Sequence, residues 1–297
     1  MHHPILVFGT ICIDRVRRVP RLPAPGGYVE ILDEQLLLGG EAANTANALH
    51  SWGVPVRLCG NSLGEGESAE RLRAMLEHHD LETKFLESRG GQTPICDIYV
   101  TPDGERTMFG KGFSSMAAYT EASAVPYAEQ EWFTAEPNLG AVAREAVRLA
   151  HLASMKVYTM DFIRDDDPIE PGSFWQCSTD WVGHRGDIRK NLAWVQRFVE
   201  ARGCFGILTD GPHGFIAGSP EVPVRHFEPF PVSGVVDFTG AGDLFRAGML
   251  FGLNQSWDIE RCLRFASAAG ALSCRGLGAT TYVPSVEEIG ALAGRQA

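Results

Sequence analysis

The sequence predicts an α/β fold with a mostly parallel central sheet flanked by helices. Short apolar segments alternate along the chain with longer segments of helical periodicity, and such alternation is typical of βαβ units. Glycine-rich turns follow several of the apolar segments, where the carboxyl ends of parallel strands open to ligands. Because 297 residues suffice for one large α/β domain with a small accessory layer, we expect residues 1–297 to form a single domain.

Two parts of the chain predict strands outside this central sheet. The first apolar segment, Ile5–Phe8, is typical of a buried parallel strand, but residues 15–38 are rich in proline and contain only short alternating segments. Ile95–Val100 and Glu105–Phe109 are joined by a Pro-Asp-Gly turn and predict a hairpin. We expect residues of about 15–38 and 95–109 to form a small antiparallel β lid over the ligand site.

The remaining elements are predicted from periodicity. Helices are expected at Ala42–Ser51, Ser68–His79, Leu139–Ala150, Ile188–Arg202, Asp243–Leu253, Ile259–Ser273 and Ser285–Ala293. Strands are expected at Val56–Cys59, Lys156–Asp161, Phe205–Thr209 and Phe215–Ala217. The long stretch Asp165–Asp187 contains two prolines and predicts a partly irregular loop over the site.

A strand, a glycine turn and a helix follow one another near the C-terminus. The small residues Gly240, Ala241 and Gly242 allow several backbone N–H groups to converge on an anion at a helix N-terminus. Asp243 follows directly, where a carboxylate can accept a proton from an incoming hydroxyl group. An anion site beside a base indicates phosphoryl or acyl transfer. The alternative interpretation of the same residues is a helix cap, which is common in α/β proteins.

A second glycine turn favours the functional interpretation. Gly39 and Gly40 end another predicted strand, and Asn44 lies in the first turns of the helix that follows. Together with Asp-x-Thr-Gly-Ala-Gly-Asp about two hundred residues later, this pattern resembles the PfkB/ribokinase family of carbohydrate and nucleoside kinases. The resemblance extends over most of the chain, because three further family motifs are similar to Gly9–Asp14, Thr93–Thr107 and Thr209–Gly214.

The resemblance implies an ATP-dependent phosphotransferase of ribokinase-like fold. Such an enzyme transfers the γ-phosphate to a hydroxymethyl group of a sugar, sugar acid or nucleoside, with ATP and Mg²⁺ as cofactors and K⁺ as a further candidate. The resemblance implies that Asp243 is the general base and that Gly240, Ala241 and Gly242 bind the transferred phosphate. It implies acceptor binding by Asp14, Gly39, Gly40 and Asn44, and nucleotide binding by Thr209, Gly211 and Gly214. Asp237 is the implied site of a monovalent cation.

The sequence departs from the family pattern in two respects. Many relatives carry Lys or another residue of different charge where this chain has Glu41, which leaves the identity of the acceptor open. The family's Asn-x-x-Glu motif, linked to Mg²⁺ and phosphate, does not occur as such, and Ser178–Asp180 and His184–Asp187 are equal candidates for its place. Asp161–Arg164 resembles the Asp-x-Asn-x-Arg strand end of some sugar kinases, with Ile163 in place of Asn.

Two other functions compete with a kinase. Gly60–Gly64 satisfies the Gly-x-Ser-x-Gly pattern of a serine hydrolase with Ser62 as nucleophile, although a nucleophile elbow enters its helix at once and residues 64–67 intervene here. A non-catalytic sugar or nucleotide sensor on the same fold is the other alternative, since the Asn-x-x-Glu motif is missing. The intact base Asp243 argues against a sensor, which has no need of one.

Composition limits the partners. A net charge of −11 at pH 7 argues against nucleic acid or an anionic membrane, because both bind basic surfaces. The seven cysteines lie far apart without Cys-x-x-Cys spacing, so the pattern favours neither a disulfide framework nor a structural zinc site. We read neither a leader nor a long apolar segment and expect a cytoplasmic protein. We also expect a homodimer through the lid, because dimers are the commonest oligomers.

Overall fold

The computed structural model describes residues 3–87 and 90–294. Within these residues the strands are β1 Ile5–Gly9, β2 Cys12–Arg18, β3 Asp33–Gly39, β4 Val56–Gly60, β5 Ile95–Val100, β6 Arg106–Lys111, β7 Trp132–Ala135, β8 Lys156–Met160, β9 Phe174–Ser178, β10 Phe205–Thr209, β11 Phe215–Gly218 and β12 Arg225–Phe227. The α-helices are α1 Glu41–Ser51, α2 Glu67–His78, α3 Ala141–Leu152, α4 Ile188–Arg202, α5 Ala241–Asn254, α6 Ile259–Ser273 and α7 Val286–Ala293.

Eight strands form the central sheet in the order β12-β11-β10-β9-β8-β7-β1-β4. All pairings from β4 to β10 are parallel, and β11 and β12 extend the sheet with antiparallel pairings. Helices lie between most consecutive parallel strands, as βαβ connections require. The predicted fold class, a mostly parallel sheet flanked by helices, is therefore confirmed.

The core lies on both faces of this sheet, as the alternation along β1 shows. Ile5 and Val7 belong to an apolar cluster with residues of α1, α5 and α6. Leu6 and Phe8 belong to a second cluster, with residues of α3 and α4. Because successive side chains of a strand point to opposite faces, the two clusters form the two sides of a helix–sheet–helix sandwich.

A separate four-stranded sheet has the order β3-β2-β5-β6, and we refer to it as the lid sheet. Its β2–β3 and β5–β6 pairings are antiparallel, but β2 and β5 run parallel. The expected antiparallel sheet is thus correct for two of its three pairings. The parallel pairing arises because α1, β4 and α2 lie between β3 and β5 in the chain, so β5 enters the sheet by a crossover rather than a hairpin.

The predicted helices end within two residues of those observed, but three strand predictions need correction. The stretch Asp165–Asp187 is partly irregular as expected, but it also contains β9, which was not predicted and which lies in the sheet between β8 and β10. The predicted alternating strand at residues 28–32 is not a strand. Strands β7 and β12 were not predicted at all, since both are short and neither alternates in polarity.

Close packing of α5 on α6 provides a test of the fold. A Cβ atom at Gly248 would lie 2.7 Å from Cα of Ala266, so Gly248→Ala should destabilise the protein by about 1–3 kcal/mol through overpacking. Gly290→Ala in α7 is the matched control, because a Cβ atom there meets nothing within 4 Å and should stabilise by roughly 0.5–1 kcal/mol. Thermal unfolding measures both. Equal melting temperatures for the two variants would contradict this packing.

Candidate active site

The first turns of α1 and α5 meet at Asp243. Asn44, on α1, donates a hydrogen bond from Nδ2 to Oδ2 of Asp243 over 2.9 Å. Both side chains are at least nine-tenths buried, although the two residues are far apart in the sequence. The proposed base and one of the proposed acceptor residues therefore occupy the same place in the fold.

A second contact to Asp243 comes from Arg246, which the sequence analysis missed. Arg246 is fully buried, and its Nη2 lies 3.5 Å from Oδ1 of Asp243. The same guanidinium donates to Thr45 Oγ1 over 2.9 Å and to the backbone carbonyl of Glu41. The sequence contained one indication of this contact. Arg246 follows Asp243 by three residues on one predicted helix, and residues i and i+3 are neighbours on a helix surface.

Burial sets the protonation of Asp243. It raises the pKa of the Asp243 carboxyl from 3.8 to about 6, while the positive charge of Arg246 and the hydrogen bond from Asn44 oppose this rise. A carboxyl with a pKa near 6 is mostly ionised at neutral pH and more basic than an ordinary aspartate. This combination suits a general base.

Asp14 lies in the lid sheet and not, as expected, at the carboxyl end of the first strand. β1 ends at Gly9, and Asp14 is the third residue of β2, where it is 4% exposed. Gly39 of β3, which pairs with Cys12, must lack a side chain because a Cβ atom there would overlap the Asp14 carboxyl group. Burial is the main cause that raises the pKa of Asp14 to about 7; a hydrogen bond from Cys12 opposes the rise, and the charges of Asp243 and Asp237 add to it.

The glycine turn before α5 has the open form that an anion site needs. Gly240 adopts the left-handed conformation with φ of 80°, and no described side chain caps the helix. Nothing lies closer than 4.0 Å to a Cβ atom built at Gly242, while Gln176 of β9 donates to the Gly242 carbonyl over 3.0 Å. The Ala241 N–H donates to the Phe238 carbonyl over 3.3 Å, while the Gly242 N–H and the positive end of the helix dipole remain available for negative charge.

Asp237 holds the segment before this turn. It is fully buried, and its Oδ1 accepts hydrogen bonds from the backbone N–H and hydroxyl of Thr239 over 2.9 and 2.7 Å. Its Oδ2 accepts from the Gly278 N–H over 2.7 Å. No basic side chain in the described part of the chain forms an ion pair with Asp237, so its charge is balanced by hydrogen bonds alone.

The proposed nucleotide residues follow the end of β10. Thr209 donates from its hydroxyl to the Cys177 carbonyl of β9 over 3.2 Å, and Gly211 and Gly214 shape the tight turn that follows. Asp210 joins this turn to residues 179–186, because it accepts from the Thr179 hydroxyl at 2.7 Å and from the Gly186 N–H at 2.9 Å. Since Gln176 links β9 to the turn before α5, the two glycine turns lie at the same edge of the sheet.

The candidates for the missing Asn-x-x-Glu motif have structural partners. Asp187 caps α4 by accepting from the Lys190 N–H over 3.0 Å, and the Asp180 N–H donates to the Ser178 hydroxyl over 3.1 Å. Over residues 3–87 and 90–294, no group of three or more His, Cys, Asp or Glu side chains has a geometry suited to a metal ion. A resident metal centre built from such ligands is therefore not a feature of these residues.

Further carboxylates crowd the site, and we call Glu41, Glu136, Asp161 and Asp243 the acidic cluster. Burial raises the pKa of Glu41 well above its ordinary value, and the charges of the other three members raise it further, whereas Arg246 lowers it. Burial also raises the pKa of Asp161 to about 6. Glu136 was not predicted from the sequence, because it follows the unpredicted strand β7; it is fully buried and accepts from the backbone N–H of Thr10.

Comparisons with known proteins identify the family of this chain. The pfkB family model of carbohydrate kinases matches residues 3–158 and 179–286. An uncharacterized sugar kinase of Dictyostelium discoideum is 29% identical over 96% of this chain and 96% of its own, and the acarbose 7(IV)-phosphotransferase of Actinoplanes sp. is 28% identical over 92% of each chain. The chain therefore belongs to the pfkB family of carbohydrate kinases, as its motifs suggested.

Solved structures extend the comparison to the fold. The structure of Arabidopsis thaliana ribokinase complexed with ribose and ATP matches this chain with a TM-score of 0.77 and 18% identity, over 100% of both chains. At this identity the match shows the fold alone.

None of the helices in the described portion of the chain is long and apolar enough to cross a membrane.

The buried charge of Asp14 predicts a pH-dependent stability. With a pKa of about 7 in the folded protein against 3.8 ordinarily, Asp14 binds its proton more tightly when folded. Stability is therefore lost as pH rises from about 4 to 7, by up to roughly 4 kcal/mol. Asp14→Asn should raise the melting temperature at pH 8 and have much less effect at pH 5.

Asp33→Asn on the neighbouring strand β3 is the control, because Asp33 is exposed. It should change the melting temperature little at either pH. An Asp14→Asn variant with the same shift in melting temperature at pH 5 and pH 8 would show that Asp14 is not destabilising in its charged form.

Proposed function

We propose that this protein transfers the γ-phosphate of ATP to a hydroxymethyl group of a small carbohydrate or nucleoside, with Asp243 as general base. The observation that carries the proposal is the placement of Asp243. Its carboxylate is held from one side by Asn44 and from the other by Arg246, directly beside an uncapped helix N-terminus. A base and a site for negative charge are thus adjacent, which phosphoryl transfer requires.

The reaction can be followed through the residues of this chain. The acceptor hydroxyl gives its proton to the Asp243 carboxylate as its oxygen attacks the γ-phosphorus, and the bond to the β-phosphate oxygen breaks. Negative charge on the transferred group is stabilised at the turn Gly240, Ala241 and Gly242, where the Ala241 N–H donates to the Phe238 carbonyl over 3.3 Å and the N–H groups of Gly240 and Gly242 supply the donors. Asp243 accepts the proton without leaving its hydrogen bond from Asn44.

Acceptor binding is assigned to Asp14, Gly39, Gly40 and Asn44. Asn44 uses its Nδ2 for Asp243, while its buried Oδ1 accepts from no donor among the described residues. A sugar hydroxyl would satisfy that oxygen. Asp14 can accept from a second hydroxyl, and the absence of a side chain at Gly39 makes room for the Asp14 carboxyl group itself. Both residues thus offer hydrogen-bond acceptors to a polyol.

Nucleotide binding is assigned to Thr209, Gly211 and Gly214. The ribokinase of Arabidopsis thaliana, with the same fold, was solved with ribose and ATP, which supports ATP as the phosphate donor. Mg²⁺ would arrive with the triphosphate, because Mg²⁺ commonly binds through substrate phosphates and few protein ligands, and it would neutralise phosphate charge. Asp237, whose buried charge has no cationic side-chain partner in the described chain, suits a monovalent cation such as K⁺.

The alternatives receive less support. Ser62 is 6% exposed and its hydroxyl accepts from the Gly64 N–H over 3.2 Å, in a loop that precedes α2 rather than at a nucleophile elbow. A sensor would bind sugar and ATP without releasing ADP, so measuring ADP release with Mg²⁺ and K⁺ across sugars and nucleosides separates it from a kinase.

Assembly and location complete the proposal. The lid sheet exposes Met108 and Phe109 on its edge strand β6, and we propose a homodimer through this sheet, because apolar side chains on a sheet edge favour pairing. The mass in solution, measured by light scattering, tests the proposed homodimer.

ATP and small sugars are cytoplasmic metabolites, and we propose the cytoplasm as the place of action.

Loss of the base gives the sharpest test of the reaction. Asp243→Asn keeps the size of the side chain, so the variant should fold and bind ATP. Removing a general base should lower kcat by about 10²–10⁴-fold, measured as ADP release with the best acceptor. Glu67→Gln, an exposed change at the start of α2, should keep wild-type kcat. The role of Asp243 is wrong if Asp243→Asn retains more than about a tenth of kcat, since the lost stabilisation would then be under roughly 1.4 kcal/mol.

The raised pKa of Asp243 predicts the acidic limb of the pH profile. Only the ionised carboxylate can accept a proton, so kcat/KM should fall as pH drops through about 6, by about tenfold per pH unit well below that value. Rates measured from pH 5 to pH 9 under acceptor-limited conditions give the profile. A flat profile down to pH 5 would mean that no group with this pKa has to be ionised.

A further inference from the structure

We propose that the acidic cluster selects acceptors by charge, so that the kinase phosphorylates neutral or amino-bearing hydroxyl compounds and rejects sugar acids and sugar phosphates. The inference rests on the proposed function and names its class of acceptor. It follows from the charges around Asp243, from hydrogen-bond acceptors that have no donor, and from the position of Glu41.

The charges around Asp243 are strongly unbalanced. The acidic cluster supplies four carboxyl groups, and Asp14 is a fifth near enough for its pKa to respond to Asp243. Arg246 is the one basic side chain that contacts them among the described ion pairs at this site. In three of the five carboxyl groups burial raises the pKa to between about 6 and about 7, and neighbouring carboxylates add smaller contributions in the same direction.

Glu41 is the member placed to meet the acceptor. It is the first residue of α1, immediately after Gly40 and one helical turn from Asn44. Its Oε1 accepts from the Asn138 side chain over 3.0 Å, whereas its Oε2 is buried without a donor among the described residues. The Oδ1 of Asn44 is likewise buried without a donor among the described residues, and Asn44 is 4% exposed. Both oxygens need hydrogen-bond donors, which hydroxyl and ammonium groups supply and carboxylate and phosphate groups do not.

Arg246 provides the strongest argument for the opposite preference. Its Nη1 has no partner among the described residues, and a guanidinium is a good ligand for anions. However, this cation already contacts Asp243 and the Glu41 carbonyl, and an anionic acceptor would approach it through four other carboxyl groups. Like charges placed together in a binding site strongly disfavour a partner. The structure therefore favours exclusion of anions.

The test compares glucose, glucosamine and gluconate, and ribose with ribose 1-phosphate, as acceptors for the wild-type protein, because each of these compounds keeps a free hydroxymethyl group. Two readouts are used: ADP release gives kcat/KM, and the shift in melting temperature with added sugar reports binding without turnover. We expect kcat/KM for each anionic compound to be at least about 100-fold below that of its neutral or amino counterpart. Anionic compounds should also give no melting shift.

Glu41→Gln should reduce this discrimination by about tenfold, because it removes a carboxyl group that can ionise and keeps the shape of the side chain. Glu67→Gln is a matched control: Glu67 is likewise the first residue of a helix after a glycine, but its side chain is 88% exposed. It should leave the ratios unchanged. The wild-type ratios stand as a test even if Glu41→Gln fails to fold.

The outcomes separate this inference from the proposed function. Turnover of gluconate or ribose 1-phosphate within tenfold of the neutral sugar would overturn charge selection and leave the kinase proposal intact. Melting shifts with neutral and amino sugars alone, without ADP release from any acceptor, would support charge selection and overturn the kinase proposal. Equal ratios in wild type and Glu41→Gln, with both folded, would overturn the role of Glu41.

Discussion

The candidate active site depends on one buried network, in which Asp243 contacts Asn44 of α1 and Arg246 of its own helix. A buried carboxylate is costly unless it is paired and hydrogen-bonded, and here an amide and a guanidinium supply both. Arg246 in turn fixes the first turn of α1 through Thr45 and the Glu41 carbonyl. The network forms only where the two helices dock, and both helices also contribute to one apolar cluster. The environment of the proposed base is thus created by tertiary packing.

The same arrangement explains why the site costs stability. An ion-pair network that served stability alone would contain a basic side chain for each carboxylate. This region instead contains five carboxyl groups, and Arg246 forms an ion pair with one of them, Asp243. Burial then raises the pKa of Asp14 to about 7 and that of Asp243 to about 6. Groups with such displaced pKa values are common where a protein holds reactive side chains ready for catalysis. The two well-packed apolar clusters of the central sheet provide the stability that offsets this cost.

How far the sequence predicted this structure depends on how local each feature is. Ile188–Arg202 was predicted to the residue, because Asp187 caps the helix and Gly203 ends it in the left-handed conformation. β9 was missed although it is central, since its burial comes from β8 and β10, which are distant in the sequence. The parallel pairing of β2 with β5 was missed for the same reason. Propensity and turn signals do not record such long-range partners.

The site shows the same division between local and long-range information. Its glycines were predicted from their turns, and the structure shows why glycine is needed there. A Cβ atom at Gly39 would overlap the Asp14 carboxyl group, and one at Gly240 would overlap Ala279. Glycine is therefore imposed by the backbone geometry that the chemistry requires. Arg246 and Glu136 were not predictable, because nothing in their immediate sequence shows which charges they meet. Turn geometry thus dictates the backbone of the site, whereas the proposed choice of acceptor depends on side chains such as Glu41, whose environment only the folded structure reveals.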